Sequence, residues 1–393
     1  MHLFTSINMS IHAFIVRKLS DVDPDAWNIL VGDVQPCLRH EFLNALETEG
    51  CLGAKVGWMP YHLVLEDDAG TLLAACPAYL KSNSFGEFVF DWMFADAYAR
   101  AGVDYYPKLV IASPFTPATG SRLLIHPEYG TPDLAHRLMD LVVEVVGQTG
   151  ISSAHWLFTV DRTLIDSPRF LQRLGYQFHW NNPGVRTFDE YLSTLTAKRR
   201  KEIKRERRMV AEAGVELKRQ RGDQVPPALW DQVYELYCLT FARHGNYPAL
   251  SRRFFHTLAR TMGHNILLVT GHRNDALICM AYFLTGTDCL YGRYWGATEE
   301  VPALHFEACY YQGLEYCLET GLQRFEPGAQ GEHKISRGFL PTPTWSVHWI
   351  AHPVFRAGIA DFLERENQSV ERRISGLMAL SPYKSIDPTC SED

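Results

Sequence analysis

The sequence predicts an α/β protein of two domains, each built around a mixed sheet, and three observations carry that expectation. The first is a faint internal repeat: YHLVLEDDAGTLLAACPAYLKS at 61–82 and NILLVTGHRNDALICMAYFLTG at 265–286 both read as strand, polar turn, strand. The second is that each hairpin is followed by a further strand, an amphipathic helical stretch and a short strand, the order of an α/β unit. The third is the length of 393 residues, more than the ~100–200 usual for one domain.

Each half opens with helical sequence, at 24–49 and at 227–262. The second strand of each hairpin is long and apolar, as a central strand buried on both faces requires. The helices that follow show helical spacing: Leu134, Leu138, Leu141, Val142 and Val145 share one face in the first half, and Phe306, Cys309, Tyr310, Gly313, Leu314 and Cys317 in the second. AHWLFTV (154–160) and QRFEPG (323–328) are the next short strands. FLQRLGYQF (170–178) and HKISRGFLP (333–341) close the halves, each with a Gly-aromatic step into an extended segment. NNPGV at 181–185 breaks the pattern, and FDEYLSTLTAKRRKEIKRERRMVAEAG after it is rich in helix formers and ends in Gly. The expected organisation is therefore an N-terminal domain over 1–183, a basic connecting helix over 184–222, and a C-terminal domain over 223–393 that finishes in a helix at 353–378.

Hydrophobic residues make up 46% and charged residues 21%, ordinary globular usage that excludes low-complexity and disordered classes. The net charge of −7 excludes a surface coated in basic charge. One stripe departs from that average. KRRKEIKRERR (198–208) holds eight basic and two acidic residues, net +6, which leaves −7 − 6 = −13 on the remainder. As a helix it sets Arg200, Lys204 and Arg208 in one row with Lys201 and Arg205 beside it, a candidate dock for tRNA or a phosphorylated substrate. Glu202 and Glu206 are expected to pair locally with their neighbours. The nine cysteines are scattered and never spaced as CxxC, which suits reduced thiols rather than disulfides or zinc. No basic segment followed by a long apolar run marks a leader, and either Met1 or Met9 can start the chain. The longest apolar runs, such as 277–284, are far shorter than the ~20 residues of a membrane span, so a cytoplasmic location is expected. GxSxG, P-loop and GxGxxG motifs are missing, which leaves hydrolase, NTPase and dehydrogenase readings unsupported. HFE at 305–307 has no second ligand cluster, so no metal is expected.

FDEYLSTLTAKRRKEIKRERR, GRYWGA (292–297), HFEACYYQGLEYCLETG and above all FEPGAQGEHKISRGFLP resemble the FemAB-like predicted N-acyltransferases of the wider GNAT (Gcn5-related N-acetyltransferase) superfamily. The likeness covers almost the whole chain, and FLQRLGYQF is similar to the closing motif of GNAT domains. It implies tandem GNAT-like (acyl-CoA N-acyltransferase) domains and transfer of an acyl or aminoacyl group to an amine, for which a cell-wall peptide precursor is a candidate acceptor. The sequence departs from the acetyl-CoA-dependent pattern in one respect: neither HPEYGTPDLAHRL (126–138) nor GATEEVPALHFEA (296–308) has the Arg/Gln-x-x-Gly-x-Gly/Ala loop that cradles a pyrophosphate at a helix N-terminus. The resemblance thus implies no permanently bound cofactor, with acyl-CoA or aminoacyl-tRNA as co-substrate.

Acyl transfer to an amine needs a proton acceptor and donors aimed at the developing oxyanion. GEHKISRG offers Glu332 or His333 as base and Lys334 and Arg337 as charge stabilisers. In an extended segment Glu332 and Lys334 share one face, which favours Glu332 as base. Arg293 and Trp295 suit donor phosphate and base or sugar. Glu307 and Tyr311, four apart on one helix, suit a cleft wall with Tyr311 as leaving-group acid. His244, at the helix end FARHGNYP, is a further substrate contact. The alternative to an enzyme is a non-catalytic tandem-GNAT protein that uses its basic helix on RNA or an anionic surface.

Overall fold

A computed structural model describes residues 10–384 apart from Gly130, His244 and Gln330. The chain forms two compact units. The first runs to Gly175 and includes Thr344–Gln368; the second comprises Tyr176–Pro343 and the residues from Ser369 onward. This differs from the contiguous halves expected from the sequence. The basic helix belongs to the second unit, and the first unit draws a strand and part of a helix from far along the chain. Three elements, Leu171–Asn181, Leu340–Ile350 and Pro353–Met378, contribute residues to both units.

In the first unit, His12–Val16, His62–Glu66, Leu72–Cys76 and Leu124–Ile125 pair in that order as an antiparallel sheet. A mixed sheet follows the order residues 345–350, Ser153–Thr159, Lys108–Ile111, Ala78–Lys81, Trp58–Pro60, with the second and third strands parallel. The predicted hairpin at 61–82 is therefore there, but its strands break at Pro77 and feed both sheets. Helix Pro132–Thr149 starts on Pro and stops at Gly150 in the left-handed region, the usual start and stop signals. Its apolar face, Leu134, Leu138, Val142 and Val145, packs on Leu63, Leu65, Ala74 and Trp156. Each such fully buried side chain contributes roughly 1.5–3 kcal/mol. A smaller core gathers Phe94, Tyr98 and Tyr105 with Ile350, Ile359 and Leu363.

The second unit orders Glu216–Arg221, Ile266–Arg273, Ala276–Thr285, Cys289–Ala297, Arg324–Glu326 and the end of Leu171–Asn181. The hairpin turn places Asn274 and Asp275 both at positive φ, as a two-residue hairpin connection demands. Cys289–Ala297 runs parallel to Arg324–Glu326 only from Cys289 to Tyr291. Register slips across from Tyr282, which faces Tyr294, while Phe283 faces Gly292; Arg293 is the extra residue of the resulting bulge. The helical stretch 304–320 carries a π turn, Glu307–Tyr311, ahead of Gln312–Thr320. Its wider turn moves Glu307 and Tyr311 into the core, away from the neighbouring face that regular helical spacing assigned them. Of the two closing segments, 171–181 is the expected strand, but Glu332–Arg337 is a 3-10 helix bracketed by Gly331 (φ 120°) and Gly338 (φ 79°). Among the described residues no helix is long and apolar enough to cross a membrane.

Candidate functional site

Where Cys289–Ala297 leaves its parallel neighbour, the second unit opens a pocket of about 80 Å³ lined by Gly292, Arg293, Trp295, His305, Cys309, Tyr310 and Pro327. The bulge turns Arg293 out of the ladder, and its guanidinium reaches the Tyr294 hydroxyl at 3.3 Å. Trp295 lies edge-on to His305 with centroids 5.3 Å apart. The 3-10 helix carries Lys334, 3% exposed, whose Nζ donates at 2.8 Å to the carbonyl of Gly328, the residue after the lining Pro327. Among the described residues no carboxylate lies within ion-pair distance of it. Burial pushes its pKa down to about 8.

His333 shares a hydrogen bond of 2.9 Å between Nε2 and the Tyr310 hydroxyl. Burial, with Lys334 and Arg337 nearby, holds His333 below the usual histidine range. Burial pushes His305 to about 4, so both imidazoles are neutral at pH 7. A neutral imidazole can take a proton; a lysine near neutrality can hold charge on a developing oxyanion.

Arg337 has a different setting. Its guanidinium stacks 3.4 Å from the Phe306 centroid and donates to the His333 carbonyl at 2.8 Å, to Tyr311 Oη at 3.1 Å and to Glu206 Oε1 at 2.6 Å. Tyr311 in turn donates to Glu206 Oε2. Glu206, expected to pair along its own helix, faces inward between Ile203 and Val210 and closes a buried three-residue network. Glu307 accepts from Arg207 at 3.1 Å and from Gln312 at 2.8 Å, and burial raises its pKa.

Of the predicted residues, Arg293 and Trp295 line the pocket, His333 is tied to its wall through Tyr310, Lys334 bonds the Gly328 carbonyl next to the lining Pro327, and Tyr311, Arg337 and Glu307 lie in the packing. Glu332 does not share a face with Lys334, because the segment is helical and not extended. Its side chain is 54% exposed and pairs with Arg373. His244 lies outside the described residues. On the basic helix Ala197–Glu212, Lys201, Lys204, Arg205 and Arg208 are exposed, Arg208 paired loosely with Glu212 at 3.5 Å, while Arg200 donates to the Leu195 carbonyl at 2.7 Å.

The first unit holds a cluster that the sequence reading passed over. Lys108, fully buried, donates to Ser84 at 2.8 Å, to Glu87 at 2.7 Å and to Asp91. Tyr105 donates to Asp91 Oδ2 at 2.5 Å and lies 3.2 Å from His155 Nε2; His155 Nδ1 is 2.6 Å from His348 Nδ1, and His348 Nε2 is 3.0 Å from Ser346. Ser153 Oγ lies 2.8 Å from His155 Nε2, closer than the Tyr105 oxygen, so Asp91, Tyr105, Ser153, His155, His348 and Ser346 form one buried hydrogen-bonded string. Burial pushes His155 down to about 3 and His348 well below its ordinary value, so both stay neutral. Asp91 sits at the start of helix Trp92–Arg100 without capping it. The missed signal is in FGEFVFDWMF (85–94): two acids embedded in aromatics that share one lysine partner, Lys108, 21 and 17 residues on.

The sequence profile of the FemAB-like family, described as peptidoglycan biosynthesis/recognition, matches residues 18–385. Among solved structures, FemX superposes with a TM-score of 0.51 at 11% identity, over 88% of this chain and 99% of that one. L-PGS from Bacillus licheniformis gives 0.50 at 10% identity, over 92% and 98%. At such identities the likeness concerns the fold, an α/β mixed-sheet arrangement of GNAT-like topology. No curated protein sequence matches the chain.

Proposed function

Since the chain belongs to the FemAB-like family, we propose that it is an N-acyltransferase that moves an acyl or aminoacyl group from an activated donor to an amine, with its two units as tandem GNAT-like domains. The observation that carries the reading is Lys334, a buried amine whose one hydrogen bond among the described residues goes to the Gly328 carbonyl, next to Pro327 in the wall of a pocket at a strand bulge. The acceptor amine attacks the donor carbonyl carbon; an N–C bond forms and the oxygen becomes an oxyanion. Lys334 and Arg293 stabilise that charge, and His333, neutral and bonded to Tyr310, takes the amine proton. Collapse breaks the C–S or C–O bond of the donor, and the proton passes to the leaving thiol or hydroxyl.

The exposed Lys201, Lys204 and Arg205 favour aminoacyl-tRNA as donor, since they present cations at helical spacing to a phosphate backbone. The family description supports a cell-wall peptide precursor as acceptor. The test is transfer from radiolabelled aminoacyl-tRNA or acyl-CoA to a panel of amines that includes peptidoglycan precursors. Amide formation is expected, with Lys334→Met lowering kcat by about 10²–10³. Transfer that survives this substitution undiminished removes the site assignment, and failure of every donor removes the reaction.

A further inference from the structure

We propose that the first unit carries a separate binding site for the protonated amino group of a small organic ligand, floored by the carboxylates of Glu87 and Asp91 and rimmed by aromatic side chains of residues 85–92. Lys108 spends its three N–H bonds on Ser84, Glu87 and Asp91, one oxygen from each carboxylate. The other two oxygens, Glu87 Oε1 and Asp91 Oδ1, are buried and accept no hydrogen bond from any described residue. The residues themselves are 4% and 3% exposed. Both carboxylates grip one nitrogen, so their second oxygens belong to one cluster, in which Lys81 Nζ stands 4.0 Å from Glu87 Oε1, beyond hydrogen-bond distance. A buried acceptor without a hydrogen bond is costly, more so when charged, so two in one cluster mark a place that a multi-donor cation satisfies. An ammonium, compact and with three donors, fits that requirement.

The rim selects an organic cation. Phe85, Phe88, Phe90 and Trp92 are exposed, Phe85 at 68%, and Trp92 lies 5.4 Å from Phe85 and 6.4 Å from Phe90 between centroids. Exposed aromatic faces beside carboxylates attract alkylammonium groups, and a contiguous apolar rim of this kind marks a contact surface.

Glu87 faces Lys108 and Lys81 from the two strands beneath it, Asp91 from its own segment, and Tyr105 and Tyr106. Although burial opposes it, the Lys108 ammonium holds Asp91 ionised, far below the usual carboxylate range. Burial pushes Glu87 up to about 7 against the pull of Lys108, and Lys81, 4.0 Å away, down to about 7. Entry of an ammonium therefore displaces one proton from this pair. The inference does not depend on acyl transfer.

The test is calorimetry on the full chain with 2-phenylethylammonium as probe, 3-phenylpropionate as its anionic counterpart and Mg²⁺ as an inorganic cation. Saturable binding of the ammonium alone is expected, with more proton released at pH 6 than at pH 8, on either side of the Glu87 value of about 7. Glu87→Gln should weaken it about tenfold or more. Phe85→Ala, an exposed change that leaves the thermal melt in place, should weaken it about threefold. Equal binding of phenylpropionate, displacement of the ammonium by Mg²⁺, affinity untouched by Phe85→Ala, or no saturable binding in the millimolar range would overturn the site.

Discussion

Lys334 is buried against one carbonyl oxygen, and this placement carries a cost at neutral pH. Its pKa falls from 10.5 to about 8 on folding. Between those values the unfolded chain binds a proton that the folded chain lacks, so stability rises with pH across that window. Below pH 8 both states are protonated and the folded state bears the whole cost of burying the cation. Lys334→Met, of similar length and uncharged, should therefore stabilise the protein by about 1–3 kcal/mol at pH 7, with the gain fading as pH rises from 8 to 10.5. Urea denaturation at pH 7 and pH 10 reads this directly; a variant less stable than the parent at pH 7 shows that the Gly328 bond outweighs the desolvation. At this scale the sequence marked Lys334 and His333 through the compact GEHKISRG run. It misplaced Glu332, since the alternation argument fails in a 3-10 helix. Glu206 had a readable sign, apolar Ile203 and Val210 three before and four after it on one helical face, but a run of charges hides which acid turns inward.

The basic helix Ala197–Glu212 shows what an element adds to its residues. Ile203, Glu206 and Val210 anchor it, and Arg207 reaches from it to Glu307 and Glu315 at 3.1 and 2.6 Å, so part of the +6 stripe is spent inside the unit. What remains exposed is Lys198, Lys201, Lys204, Arg205 and Arg208, fewer cations than the sequence count suggested. Reversing Lys201, Lys204 and Arg205 to Glu should weaken tRNA binding and lower the slope of log K against log salt by about three phosphate contacts' worth, while stability moves by no more than about 0.5 kcal/mol. Filter binding across a salt series measures both the affinity and the slope. An unchanged slope would show that these cations meet no phosphate. Other elements were legible for plain reasons: the hairpin at 265–286 has strong alternation bounded by a turn pair that tolerates positive φ, and helix Pro132–Thr149 has caps and a full apolar face. The π turn was not legible, because inserting a residue into helical spacing leaves the composition unchanged.

Across the whole molecule, the repeat revealed two α/β units but not which residues complete each, because hydrophobic patterning reports local periodicity and not strand partners. The first unit depends on distant sequence in four ways. Residues 345–350 pair with Ser153–Thr159, and Val347 enters the main core. Ile350, Ile359 and Leu363 fill the small core around Phe94, Tyr98 and Tyr105. His348 bonds His155 in the buried string that ends on Asp91, and Glu366 and Asn367 hold Arg173 and the Leu174 amide at 2.7 to 2.8 Å. A fragment cut at residue 183 therefore exposes the edge of Ser153–Thr159, a strand buried along its length, and leaves His155 facing solvent without its partner. Such an apolar edge pairs with other chains, so the fragment should aggregate or lack fixed near-ultraviolet dichroism. Joining residues 344–368 to residue 175 through a Gly/Ser linker should restore one cooperative urea transition, since the strand, both cores and the histidine pair are all regained. Cooperative unfolding of the short fragment at the same midpoint as the linked one would show that the late strand is dispensable, and that the unit ends where the sequence repeat ends.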